Sequence, residues 1–468
     1  MQTHGPVFSL VLAGLVAAQN PAPVPAADDA ALLAATRKAV AWIERQAKPV
    51  TGAKDAVMFP GSAEGTEDPT AIVYGGTAGV LLFLENAAKV LDDARARSLA
   101  DKAAAGLLAV ATKDAHGITW AGAERNEGAA ALYVGDAGVG AAFLARAKLR
   151  GDAAALATAI QVGDSLLARA VKDGDALHWD EQVEIIYGTA GTALFLLDLA
   201  AACDDAAIAA RFRDGAKAAG RHLIAASVVH DTKPAQRSWR WQLARNASYT
   251  GFSHGTAGVG YALLRIGLEC QDEACVQAAK DGAEWVLALA VSKDGAMRFP
   301  VTPKSPTSLG GWCHGAPGTA RLFLLLHAAT KDARWLAAAT ASAKWVIAQA
   351  GSADAAIPPA FPPSYCCGVA GALEFFCDLQ RATGDAQYGA FARRAAAYLL
   401  QKAEVDGDGI KWANGANGHE AGKDQHNVDL MLGAAGEAFA LLRLATLATT
   451  PDPVVGLPDR SVVPRAGK

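Results

Sequence analysis

Nowhere in these 468 residues do lysines and arginines gather into a run, and only 19% of the chain is charged. With a net charge of −4, that excludes a protein built to neutralise nucleic-acid phosphates. Long apolar runs are missing as well. The run Val7 to Ala18 is too short to span a bilayer, so no stable membrane insertion is expected. It has the length of a secretory signal's apolar core, with Val16-Ala17-Ala18 as a cleavage site, although no Lys or Arg precedes it. Residues 1–18 are therefore expected to act as a signal peptide for export to the periplasm or beyond. Without that role the chain would be cytoplasmic. Pro21, Pro23 and Pro25 mark a linker over residues 19–29. Cysteine is scarce: seven thiols is an odd number for a disulfide-stapled protein. Cys203, Cys270, Cys275 and Cys377 fall in helix-like sequence, as small buried hydrophobes do.

A glycine motif is what the chain does have, and it recurs seven times. The copies are Gly76-Thr77-Ala78-Gly79, Gly135-Asp136-Ala137-Gly138, Gly188-Thr189-Ala190-Gly191, Gly255-Thr256-Ala257-Gly258, Gly315-Ala316-Pro317-Gly318, Gly368-Val369-Ala370-Gly371 and Gly433-Ala434-Ala435-Gly436. Their first glycines are spaced by 59, 53, 67, 60, 53 and 65 residues, the self-similarity of a repeat architecture. After the motifs come runs that are apolar nearly all round, such as Val80 to Leu84, Ala193 to Leu197 and Ala320 to Leu326. These suit buried inner helices. Alanine-rich stretches such as Ala94 to Ala111 and Ala333 to Ala348 read as outer helices with one wet face. Ahead of most motifs, Asp-Gly or similar turns lead to an aromatic (Phe59, Trp120, Trp179, Phe299, Trp412), the mark of a tight turn or hairpin. One repeat is thus outer helix, aromatic-bearing loop, glycine entry and inner helix. Seven such units predict an all-α fold, a closed α/α toroid over residues 30–449 followed by a flexible tail over 450–468.

At the fifth and sixth motifs the repeat is broken by Cys313 and by the pair Cys366-Cys367. In a closed ring these positions meet at one rim although the chain between them is long. Spacing alone leaves three readings open. Three thiolates with a vacant fourth position suit catalytic Zn²⁺. A Cys313–Cys366 or vicinal Cys366–Cys367 disulfide would also fit, as would plain packing.

The repeat carrying Trp312-Cys313-His314-Gly315-Ala316-Pro317-Gly318 and then Cys366-Cys367-Gly368 resembles the lanthionine synthetase C-like family over nearly the whole chain. The resemblance implies an α/α toroid with zinc at one face, held by Cys313, Cys366 and Cys367. Many members place His at the third ligand; Cys367 is similar to the three-cysteine branch of lanthipeptide cyclases. The implied reaction adds a cysteine thiol to a dehydroalanine or dehydrobutyrine, giving a thioether. His254, in Gly251-Phe252-Ser253-His254-Gly255, matches the family's catalytic histidine and takes the proton-transfer role. Glu184, four residues before Gly188, would orient a histidine or relay a proton, and His314 is a further acid beside the metal. Tyr365 and Trp312 are expected to line the pocket. Leu309 stands where some cyclases carry an arginine, so no guanidinium for an enolate is expected there.

No dehydratase or kinase sequence accompanies the repeats, so the expected substrate is a peptide or a small glutathione-type thiol, and the oligomeric state is left open. Two other functions compete. A toroid could bind zinc or glutathione without turnover. A glycan-acting toroid would need paired carboxylates at its mouth, where the motif loops offer only Asp136 and Glu184.

Overall fold

Two kinds of helix start alternate along the chain, and the alternation sets the architecture. The computed structural model describes residues 27–121, 127–244, 246–351, 357, 361–414, 425–449 and 451–460. The signal-like segment 1–18, most of the linker, and residues 450 and 461–468 of the tail lie outside the described residues. The helices are α1 (Asp29–Arg45), α2 (Thr77–Leu91), α3 (Ala94–Val110), α4 (Asp136–Arg150), α5 (Ala153–Arg169), α6 (Thr189–Ala202) and α7 (Ala206–Ala225). They continue with α8 (Thr256–Glu269), α9 (Glu273–Ala288), α10 (Ala316–Thr330), α11 (Ala333–Gln349), α12 (Val369–Thr383), α13 (Ala386–Lys402) and α14 (Ala434–Ala445).

Odd-numbered helices are capped by aspartate: the carboxylates of Asp28, Asp93, Asp152, Asp205, Asp272, Asp332 and Asp385 each accept a first-turn amide. Even-numbered helices begin at the first glycine of each motif with no side-chain cap, and their first turns are buried. The second glycine is a close-approach position. A Cβ there would lie 1.8–2.2 Å from the carbonyl oxygen three residues before the motif, from Val73 in the first copy to Leu430 in the last.

Each even-numbered helix packs on the next, and α14 packs on α2. The odd-numbered helices form the outer layer, each against the inner helix that precedes it, and α1 takes the place beside α14. The ring is therefore closed by joining the two ends of the repeat array. Backbone hydrogen bonds run round its mouth in the same way. Tyr74 N–H donates to the Tyr133 carbonyl (2.8 Å), Tyr133 to Ile186 (3.3 Å), Ile185 to Ser253 (3.2 Å) and Ser253 to Cys313 (2.9 Å). Cys313 then donates to Cys366 (3.0 Å), Cys366 to Met431 (2.8 Å) and Met431 back to Tyr74 (3.4 Å).

Small antiparallel hairpins connect outer to inner helices, as the Asp-Gly turns predict. At Lys293↔Ala296 the loop is Asp294-Gly295, with φ of 52° and 74°, the left-handed pair of a tight hairpin turn. The tryptophan that follows a hairpin has a second task. The indole N–H groups of Trp120, Trp179, Trp239 and Trp412 donate to the carbonyls of Leu107, Leu166, Leu223 and Leu399, at 2.6–2.8 Å. Those carbonyls lie near outer-helix C-termini, where no further helical amide is available.

Residues 451–460 differ from the expected loose tail. Val454 and Asp459 are buried, and the segment threads the lumen between inner helices. Asp459 accepts from the Tyr133 hydroxyl (2.8 Å), while the carbonyls of Pro458 and Asp459 accept from Arg265 (2.9 Å) and Arg321 (3.2 Å). Asp452 pairs with Arg381 and Arg460. The physical reason lies in the inner helices. They bury arginines toward the lumen, and a Pro/Asp-rich segment supplies the acceptors that those guanidinium groups require.

Candidate metal centre

Cys313 and Cys366 occupy equivalent positions, two residues before the first glycine of their motifs, and Cys367 follows directly. Their backbones are links in the hydrogen-bonded circle at the mouth, so the turns that carry the sulfurs are tied to each other and to both neighbouring repeats. The three Sγ atoms lie within 4.8 Å of one another, with Cys313 and Cys367 at 3.7 Å. Sulfurs at three corners of a tetrahedron, each about 2.3 Å from one zinc ion, would be about 3.8 Å apart. The donor set and its spacing therefore fit Zn²⁺. All seven cysteines are free thiols, so neither proposed disulfide is formed. Cys313 and Cys366 are buried and Cys367 is half-buried. Hydrogen bonding to Cys313 and Cys367, then burial, pushes the Cys366 thiol well above the usual range. Cys367 is raised too, chiefly by Cys313. A divalent ion bound there would supply the charge that lets such thiols ionise.

The loop before α8 is bound directly to this cluster. The amides of Phe252 and Ser253 donate to the Cys313 carbonyl, both at 2.9 Å, and the Ser253 hydroxyl adds a third bond at 3.2 Å. His254 is the next residue. Its Nδ1 lies 3.2 Å from Glu184 Oε1, within ion-pair distance although not aligned as a hydrogen bond. Glu184 is buried rather than solvated. Its oxygens accept the amides of Ile186 and Tyr187, which holds the carboxylate toward His254. Asp429 occupies the same register in the seventh repeat and accepts the amides of Met431 and Leu432. Capping this turn is thus a structural task that Glu184 shares with a carboxylate that pairs with no histidine among the described residues.

Aromatic rings fix the imidazole. Trp241 stacks on His254 with centroids 3.7 Å apart and planes at 5°, and Tyr187 stacks at 5.9 Å. His314 is 5.5 Å from His254 and 5.3 Å from Tyr249, ring centre to ring centre. The three cysteines, His254, Glu184 and His314 are thus assembled in one neighbourhood of the mouth.

Trp312 and Tyr365 are placed otherwise than expected. Trp312 turns away from the mouth and packs among Tyr133, Phe252 and Tyr365 in the core. Tyr365 faces a small lumen cavity with Arg321 and Asp459. Trp312 and Tyr365 thus point away from the cysteines that follow them, which face the rim cluster. Sequence reasoning missed Trp241, Tyr249 and Tyr74, whose hydroxyl donates to Cys366 Sγ at 3.2 Å. The signal for Trp241 was the spacing of 67 residues between the third and fourth motifs, the widest in the chain. That surplus houses an additional hairpin, Arg240–Trp241 with Ala247–Ser248.

The family described as lanthionine synthetase C-like protein matches residues 70–453. Among solved structures, a nisin cyclase superposes with a TM-score of 0.58 at 13% identity, covering 91% of this chain and 96% of that one. A GH76 α-mannanase from Bacteroides thetaiotaomicron covers 91% of this chain and 97% of its own, with a TM-score of 0.46 at 10% identity. No curated protein matches.

Proposed function

Because this chain belongs to the lanthionine synthetase C-like family, we propose that it is a zinc-dependent enzyme that adds a cysteine thiol to a dehydroamino acid. The sulfur cluster of Cys313, Cys366 and Cys367 carries this reading, since its spacing fits three ligands of one ion and leaves a fourth position for substrate. Bound there, zinc would hold a substrate thiol as thiolate at neutral pH.

The remaining chemistry falls to this chain's own residues. As the thiolate forms a C–S bond to Cβ, the π electrons of the dehydroamino acid move to an enolate. His254 delivers a proton to Cα, and the proton released by the substrate thiol restores the imidazolium. The buried Glu184 carboxylate, 3.2 Å from Nδ1, engages that edge of the ring and leaves Nε2 as the edge for proton transfer. Trp241 blocks one face of the ring and fixes its plane. His314, on the same side, is the second group able to move a proton. The substrate is a peptide or a small thiol of the glutathione type paired with a dehydroalanine-bearing acceptor.

The test is mass spectrometry of a dehydroalanine peptide incubated with glutathione and the purified protein. Conjugate should form with the wild type, be lost in Cys313→Ala together with zinc, and fall steeply in His254→Ala at unchanged zinc content. Thiol binding without conjugate would leave a binding toroid. Full activity in metal-free Cys313→Ala would end the zinc mechanism.

A further inference from the structure

Tyr74 stands in the first repeat at the register that Cys366 holds in the sixth. Both are links in the circle of backbone bonds, with Met431 between them: Cys366 donates to Met431, and Met431 to Tyr74. From there the phenol reaches past the seventh repeat and places its hydroxyl 3.2 Å from Cys366 Sγ, as donor. The ring is steadied edge-on against Tyr133 at 6.4 Å and 69°. The direction is not imposed by the register. Tyr133 has the same register in the second repeat, yet its hydroxyl turns into the lumen and bonds Asp459 at 2.8 Å. The two tyrosines are thus an internal comparison, one aimed at the sulfur cluster and one away from it.

We propose that Tyr74 is a positioning residue of the metal centre, donating its O–H to the Cys366 thiolate and so fixing that sulfur's orientation and withdrawing charge from it. The inference rests on the zinc reading given above. Three thiolates on Zn²⁺ carry a net charge of about −1. A neutral phenol is a donor at pH 7 and offsets part of that excess on one sulfur without supplying a fourth ligand. Groups bonded to a metal's ligands set ligand direction and donor strength, and losing one typically costs about 10–100-fold in metal affinity.

The experiment uses the full chain loaded with Co²⁺, whose thiolate-to-metal charge-transfer band reports electron density on sulfur. Tyr74→Phe removes one oxygen atom. It should move the band to longer wavelength and weaken cobalt retention against a chelator about 10-fold. Tyr133→Phe, which gives up the bond to Asp459, should leave both readouts at the wild-type values. Unfolding of the metal-free proteins, followed by circular dichroism, should be alike for wild type and Tyr74→Phe. A wild-type band in Tyr74→Phe overturns the inference, as does an equal shift in Tyr133→Phe, which would mark general loosening of the rim. If the wild type takes up cobalt without a thiolate band, the zinc reading falls and this inference with it. A wild-type thiolate band that Tyr74→Phe leaves in place defeats the inference alone.

Discussion

Gly318→Ala sets a steric insult directly behind a metal ligand. A Cβ at this position would meet the Trp312 carbonyl oxygen at 1.8 Å, and real Cβ atoms stay beyond 3.0 Å from such neighbours. Helix α10 and the Trp312-Cys313 peptide would have to part by about 1.2 Å, whereas zinc–ligand distances tolerate about 0.2 Å. Cys313 follows Trp312 directly, so its sulfur moves with the peptide. The repeat supplies a control. In Gly138→Ala the same contact is made with the Leu132 carbonyl at 2.1 Å, in a repeat without cysteine. Both variants should lose about 1–3 kcal/mol of stability through overpacking. Only Gly318→Ala should also lose zinc affinity, by about 10–100-fold or more, measured by chelator competition and elemental analysis. If Gly318→Ala holds zinc as tightly as Gly138→Ala, the link between motif geometry and metal site is refuted.

Other expectations follow from single side chains. Cys367→His should retain zinc but slow thiol addition, because a site with one thiolate fewer holds the substrate sulfur as a weaker nucleophile; faster turnover at equal zinc content would contradict this. Burial pushes the Glu437 carboxyl up to about 8, with Asn414 bonded to one oxygen at 2.9 Å. Since the folded value exceeds the unfolded one, the native state binds more protons, and stability present at about pH 4.5 is lost as pH rises through 8. Glu437→Gln should flatten that decline in melting experiments between pH 5 and 9, and a parallel decline in both proteins would count against it. Asp452→Ala leaves the nearly buried Arg381 and its neighbour Arg460 without their shared carboxylate. It should cost about 3 kcal/mol, and an unchanged melting temperature would mean that the segment is not seated in the lumen.

The ring was legible because its determinants are local and repeated. Seven glycine pairs, seven apolar runs and the Asp-Gly turns each report the same unit, and a unit so regular has few ways to bury its inner face. The three cysteines could be grouped because equal register in a ring means proximity at one rim. Geometry that depends on side-chain direction was less accessible. Trp312 and Cys313 are adjacent, yet one enters the core and the other faces the mouth, and no periodicity in the sequence separates them. The segment 451–460 reads as solvated from its prolines and charges. It is buried because Arg265, Arg321 and Arg381, on helices distant in sequence, require acceptors in the lumen. Tyr74 acts on Cys366, 292 residues away, and pattern analysis of one chain does not see such a pair. Trp241 is close in sequence to His254, but no periodicity reports that its indole turns onto that imidazole.

X-ray absorption at the zinc edge of the purified full-length protein addresses the central point most directly. One zinc per chain is expected, with three sulfur neighbours at about 2.3 Å and one lighter donor, and a fourth sulfur once a thiol substrate is added. A coordination shell with fewer than three protein sulfurs, or one that a thiol does not enter, would contradict it.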